Sequence, residues 1–428
     1  MEVDARSQLV LSPTKRAVIR VFVLRGFGYA LLFLAEARLA AQVGPAHYGT
    51  FSYALALAAL LALVISLGWP AAIPRFLPEY LGTGEWGLVK GFLVRGTQLT
   101  LAVGAITAAG LLFAARLLSG SALAVSLAFA AVLVPVLAVL DVERRAFQGL
   151  KRPGASVFSE EVLLPGAFLL LVLATVPTTG AGALLRYSAV ATTACVLNAV
   201  WVRRSLPDPV RSAASRFRTR YWLGITIPMV FGGIAQIVMN RTDVLMLGAM
   251  VGMQATGLYS AAHRLAMLNV FFLGAVNVVM APLLAEAWHA GNHVRFNGLV
   301  RRAMLYSGAA ALPLFLAMVL APRVVLGVFG AGFGAGETLL RLLAIGQFIN
   351  AATGPVGFAL LMSGRERVFA ITLGAAAALN VLGNVIAIPR WGAAGAAFVT
   401  MLSVATLNLV QFRLGPTGRG GAQARSLG

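Results

Sequence analysis

Ala122–Leu140 reads ALAVSLAFAAVLVPVLAVL, without one charged side chain. An α-helix needs roughly 20 mainly apolar residues to cross a bilayer, and this block is about that long. Tyr53–Leu67 and Leu99–Leu118 are blocks of the same kind, the second interrupted only by Arg116. Unpaired backbone groups are costly in lipid, so membrane-spanning segments are either helices or strands of a closed barrel. Barrel strands alternate polar and apolar residues with a period of two, and these blocks do not alternate. The whole chain fits that reading: of its 428 residues 59% are hydrophobic and 11% charged. A soluble domain carries roughly 25% charged residues, and a water-facing surface of this size cannot be built from fewer than half as many. The sequence therefore specifies an all-α integral membrane protein.

Working outward from these blocks gives about twelve spans, at roughly 18–42, 49–73, 91–115, 121–143, 156–176, 182–203, 221–249, 255–285, 299–321, 338–362, 368–388 and 391–412. The loops are short and leave no room for a large soluble domain. Lys and Arg gather in alternate loops. They occur as Lys15, Arg16 and Arg20 at the amino terminus, then Arg75 and Lys90, then Arg144, Arg145, Lys151 and Arg152. The series continues with Arg203, Arg204, Arg211, Arg216, Arg218 and Arg220, with Arg295, Arg301 and Arg302, with Arg365 and Arg367, and with Arg413, Arg419 and Arg425 in the tail. The intervening loops are nearly bare. Cytoplasmic loops carry the basic excess, so both termini are expected in the cytoplasm of a multi-pass cytoplasmic (inner) membrane protein. This placement, rather than any basic soluble domain, accounts for the net charge of +20 and argues against nucleic acid as a partner. The first seventeen residues are polar and mixed in charge, so the first span is read as retained rather than cleaved. Cys195 is the single cysteine, which rules out an internal disulfide.

The sixth loop is the longest and most basic, and Pro207, Asp208 and Pro209 interrupt helix there. It divides the chain into an amino-terminal six-helix lobe (1–206), a basic cytoplasmic linker (207–219) and a carboxy-terminal six-helix lobe (220–428). A weak repeat supports two equivalent halves. Val43–Ala54 aligns without gaps on Val251–Ala262, matching Gly44 to Gly252, Gly49 to Gly257 and Phe51 to Tyr259, and the same register brings Pro74 onto Pro282. Six spans per half is even, so both halves insert the same way. The expected plan is two pseudo-symmetric six-helix bundles around a central cavity, with the substrate site between them near the midplane.

Three turns carry a resemblance. Arg38–Gly49 (RLAAQVGPAHYG) looks like the turn between spans one and two of oligosaccharide flippases. Arg241–Gly248 (RTDVLMLG), followed by Gly257–Ala262 (GLYSAA), resembles their spans seven and eight, and Pro389–Ala397 (PRWGAAGAA) the turn before their last span. In order, and with this span number and orientation, the three make the chain similar to Wzx-type polysaccharide exporters of the multidrug/oligosaccharidyl-lipid/polysaccharide (MOP) superfamily. The resemblance implies alternating-access transfer of a polyprenyl-diphosphate-linked oligosaccharide from the inner to the outer leaflet, for surface polysaccharide biosynthesis. It also implies membrane lipids as surroundings, and the polymerase and glycosyltransferases of the same pathway as partners.

Charge inside the membrane is expensive and points to function. A diphosphate crossing low dielectric needs groups that stay charged and bond phosphate in a fork, which favours arginine. The substrate-binding candidates are Arg25 in span one, Arg241 in span seven and Arg264 in span eight. Arg241 and Arg264 each lie on the order of 15 Å from the turn joining their spans, near the midplane. Arg25 lies close enough to the cytoplasmic edge to be read also as a snorkelling anchor. Gln236, Asn240 and Asp243 fall on one face of span seven, and Gln236 and Asn240 join the substrate-binding candidates. Asp243 is expected to pair with Arg264 or Arg241, in a fixed ion pair or in one that exchanges when diphosphate binds. Glu36 is read as a pair to a neighbouring arginine or as a coupling site for H⁺ or Na⁺. Gln347 with Asn350, and Asn380 with Asn384, either line the cavity or join helices.

No catalytic residue, metal site or bound cofactor is expected. His47, His263, His289 and His293 form no ligand constellation, and no Gly-Lys-Ser/Thr phosphate loop is present. The alternatives to a flippase are a drug or small-molecule cation antiporter on the same fold, and a membrane glycosyltransferase or polymerase. The buried arginines disfavour a cationic cargo. The missing external domain disfavours an enzyme.

Overall fold

A computed structural model describes residues 13–415, without the side chains of 13–21 and of 231–232. Arg419 and Arg425 of the basic tail lie outside the described residues, as do the side chains of Lys15, Arg16 and Arg20. Eight helices are long and apolar enough to cross a membrane, and two bent pairs add two more. Two of the eight are themselves hairpins. Pro13–Ile65 turns at Gly44, and Glu366–Leu414 turns at Gly392. Distance proves both reversals. Twelve helical residues extend about 18 Å, and twenty about 30 Å. Yet the Tyr48 hydroxyl donates to Glu36 Oε2 at 3.0 Å, and Asn380 Nδ2 reaches Thr400 Oγ1 at 3.4 Å. The described residues thus hold the twelve spans read from hydropathy.

Spans one and two are the arms of Pro13–Ile65, span two continuing into Trp69–Gly82. Spans three to six are Trp86–Leu117, Ala122–Gly149, Pro153–Ala174 and Gly180–Ser205. Span seven is Thr219–Met250, span eight Met253–His289 and span nine His293–Leu320. Span ten is Glu337–Thr353 with Val356–Met362, bent by 41°, and spans eleven and twelve are the arms of Glu366–Leu414. Between spans six and seven lies a short helix, Asp208–Ser212, and Lys90 Nζ donates to the carbonyls of Arg211 and Ala213 at 2.8 and 2.9 Å.

The repeat register reappears in the packing. The turns between spans one and two and between spans seven and eight are opened by Gly44 (φ 76°) and Gly252 (φ 120°), a region glycine enters without steric cost. Five residues on, Gly49 and Gly257 lie against each other's helix. A Cβ on Gly49 would stand 1.8 Å from the Met253 carbonyl oxygen, and one on Gly257 would stand 1.9 Å from that of Pro45. Pro45 and Met253 are equivalent in the repeat, so the two contacts exchange under the pseudo-twofold. Small residues let backbones meet this closely where no hydrophobic force drives helices together. The 3₁₀ segment after span nine covers the junction, with Phe329 and Phe333 packed edge-on to Tyr48 at 5.9 Å.

Candidate functional site

The arginine candidates meet where the lobes meet. Glu36 on span one and Arg264 on span eight form an ion pair across 228 residues of sequence. Arg264 Nε donates to Oε2 at 2.6 Å, Nη2 donates to Oε1, and the Tyr48 hydroxyl adds a third bond to the carboxylate. The Glu36 side chain is 7% exposed and that of Arg264 is 31% exposed, so one guanidinium edge remains reachable. Arg241 is half-buried, lies within the fields of Arg264 and Glu36, and makes no ion pair among the described residues. Arg25 Nε lies 3.3 Å from Glu161 Oε1 on span five, and both charges act on Tyr29 together with that of Arg264. Glu160 and Arg144 belong to the same field. Among the described residues Arg25 and Arg264 each hold a glutamate, whereas Arg241 and Arg144 form no ion pair, and of these two only Arg241 lies within the fields of Glu36 and Arg264.

Glu161 sits in a π-helical turn, Phe158–Leu163. Such insertions re-aim side chains and are frequent at functional sites. Sequence reasoning missed Glu161, although Glu160 and Glu161 stand together inside an apolar block, the same signal that marked Glu36. It also missed Tyr48, whose hydroxyl fixes Glu36.

The expected pairing of Asp243 with Arg264 or Arg241 is corrected. Asp243 is buried and accepts from the Tyr259 hydroxyl at 2.6 Å, from Thr400 Oγ1 at 2.7 Å and from Asn384 Nδ2. The cause is rotation: two residues advance the helix by about 200°, so when Arg241 faces the amino-terminal lobe, Asp243 faces spans eleven and twelve. Asn384 also bonds Asn380 at 3.3 Å, and Asn384 Oδ1 is buried with no partner among the described residues. This uncompensated acid among hydroxyls and amides is separate from the arginine cluster.

Gln236 and Asn240 do not touch the arginine cluster, and they share their cavity with Thr400, the hydroxyl that donates to Asp243. They are exposed to a cavity of ≈ 450 Å³ inside the carboxy-terminal lobe, shared with His263, Asn277, Gln347 and Asn350. Gln347 accepts from Asn350 Nδ2 at 3.2 Å. Among the described residues no charged side chain lines this cavity. Asn240 and His263 are each followed by an arginine that faces the lobe junction, so the neutral cavity and the charged cluster adjoin along two helices.

Residues 15–288 match the family model described as "Polysaccharide biosynthesis protein". The chain belongs to this family. Residues 228–386 of this polysaccharide biosynthesis protein also match the MatE family model. A relative from Haloferax volcanii, the probable low-salt glycan biosynthesis flippase Agl15, is 24% identical over 403 residues, covering 91% of this chain and 81% of its own. Among solved structures, an inward-facing MATE-family multidrug resistance transporter of the MOP superfamily superposes with a TM-score of 0.73 at 17% identity, covering 94% of this chain and 96% of the other. The lipid II flippase MurJ, in an inward closed conformation, gives 0.68 at 11% identity, covering 92% and 86%. The fold is therefore that of the MOP superfamily, as the three turn motifs implied. Family and fold together make the chain a multi-pass membrane protein of the polysaccharide biosynthesis family, with the fold that the MATE transporter and MurJ share.

Proposed function

We propose that this protein is a flippase. Its cargo is a polyprenyl-diphosphate-linked oligosaccharide, carried from the cytoplasmic to the outer leaflet of the cytoplasmic membrane by alternating access, for surface polysaccharide synthesis. The observation that carries this reading is Arg241, a mid-span guanidinium that forms no ion pair among the described residues, beside the Glu36–Arg264 pair that ties the lobes together. A diphosphate arriving there bonds Arg241 and competes with Glu36 for the exposed edge of Arg264. Loosening Glu36 releases a contact between lobes, which links cargo binding to lobe movement. The relationship to a glycan biosynthesis flippase supports the same cargo. The MatE match and the MATE-like fold are compatible with an antiporter, but a cationic drug finds no carboxylate lining the carboxy-terminal cavity among the described residues.

Both termini are placed in the cytoplasm by the loop charges, with glycosyltransferases acting on the cargo before transfer and a polymerase after it. Coupling falls to Asp243 on this reading. A carboxylate buried among Tyr259, Thr400 and Asn384 offers its charge to Na⁺ or H⁺ without an arginine to neutralise it. The test in cells is deletion of the gene. A lipid-linked glycan should accumulate on the cytoplasmic face, and wild-type protein should clear it while Arg241→Gln should not. Clearance by Arg241→Gln equal to wild type would remove the arginine from the reading.

A further inference from the structure

The diphosphate contact leaves the carboxy-terminal cavity without a role, and the chemistry of that cavity is of another kind. Asparagine and glutamine side chains each present two donors and an acceptor oxygen, a match for hydroxyls, which both donate and accept. Gln236 and Asn240 make no side-chain hydrogen bond among the described residues and are open to the cavity. Asn277 Oδ1 is buried at its edge without a partner, and such a group normally has one. Phe358 and Phe369 add flat apolar faces, against which the C–H side of a sugar ring can lie. A volume of ≈ 450 Å³ lies within the range of small-molecule sites.

We propose that this cavity is a glycan subsite that takes the neutral sugars next to the diphosphate and reads their hydroxyls through its amides. The inference rests on the lipid-diphosphate reading above and adds the chemical class of the first sugars. Adjacency supports it. Asn240 and His263 line the cavity and each stands next in the chain to an arginine of the cluster, so the cavity and the cluster are built on the same two helices. Among the described residues no charged side chain lines the cavity, so it offers a uronate no counter-ion, and the sugars it accepts carry no negative charge.

The test is binding by the full-length chain in lipid nanodiscs. The probes are a short-chain polyprenyl diphosphate, the same lipid carrying a neutral disaccharide, and the same lipid carrying a disaccharide with one uronate. Wild type is expected to bind the neutral glycolipid about tenfold more tightly than the bare lipid, the worth of one to two net hydrogen bonds, and to show no such gain with the uronate. In Gln236→Ala/Asn240→Ala, both positions exposed and tolerant of truncation, the ratio should fall toward one. Gln347→Met, which keeps the side-chain volume, should lower it in the same direction. Equal binding of all three lipids by wild type, or an undiminished ratio in both variants, would overturn the subsite. Arg241→Gln tests the parent reading separately, because it should weaken all three lipids alike. If it weakens none, the diphosphate reading fails whatever the amide variants do.

Discussion

Arg264 holds Glu36 by two bonds, and the carboxylate is nearly buried, so removing either partner alone leaves the other's charge poorly solvated. Breaking a buried pair costs roughly 3–5 kcal/mol, and the partial exposure of Arg264 places this one toward the low end. Arg264→Ala should therefore reduce folded protein, measured by detergent-solubilised yield and melting temperature. Glu36→Gln with Arg264→Gln should restore both. If that double variant folds but does not flip, the pair takes part in transport, through the cargo or through the lobe contact; if it also flips normally, the pair is structural only. Asp243 behaves independently, since it shares no hydrogen-bond partner with the pair. Asp243→Asn keeps an acceptor for Tyr259 and Thr400, so expression should persist while any dependence of transport on a Na⁺ or proton gradient disappears. A gradient dependence equal to wild type would exclude Asp243 as the coupling acid. The residue types of this site were legible because a charge inside an apolar block stands out. Their partners were not: Glu36 and Arg264 are far apart in sequence, and only the rotation of each helix decides that Arg241 looks toward one lobe and Asp243 toward spans eleven and twelve.

At the scale of elements, the junction between the two hairpin turns depends on glycine. Gly49→Ala and Gly257→Ala each place a methyl group inside contact distance of a facing carbonyl. Overpacking of this kind typically costs about 1–3 kcal/mol. Each variant should lower the melting temperature of the purified protein, and the pair should cost less than the sum, because the first displacement opens space for the second. Unchanged melting in both would show that the backbones do not touch. The spans themselves were legible from hydropathy and alternating loop charge, and each predicted range overlaps an observed helix. The bends were less so. The break at Ser66–Gly68, where span two changes course, has the ordinary sequence Ser-Leu-Gly, and it is fixed by the carbonyl of Thr226 lying where a Cβ of Gly68 would be. The π turn of span five likewise leaves no periodicity of its own, because one inserted residue shifts the register without changing the residue types, Phe-Ser-Glu-Glu-Val-Leu.

For the molecule as a whole, the twelve spans, the exchanged glycine contacts and the cluster between the lobes make the lobe junction the place where cargo and movement meet. Reporter fusions at either terminus should give a fluorescent green fluorescent protein and an inactive alkaline phosphatase; an active phosphatase at either end would contradict the loop-charge orientation. The measurement that bears most directly on the central claim is flipping of a fluorescent polyprenyl-diphosphate-linked oligosaccharide in reconstituted vesicles, normalised to inserted protein. Losing a charge-assisted contact of roughly 1.5–3 kcal/mol should slow Arg241→Gln by about 10- to 100-fold. Arg241→Lys should retain an intermediate rate, because a point charge keeps attraction but loses the fork. Flipping by Arg241→Gln at the wild-type rate, with the protein folded and inserted, would contradict the account.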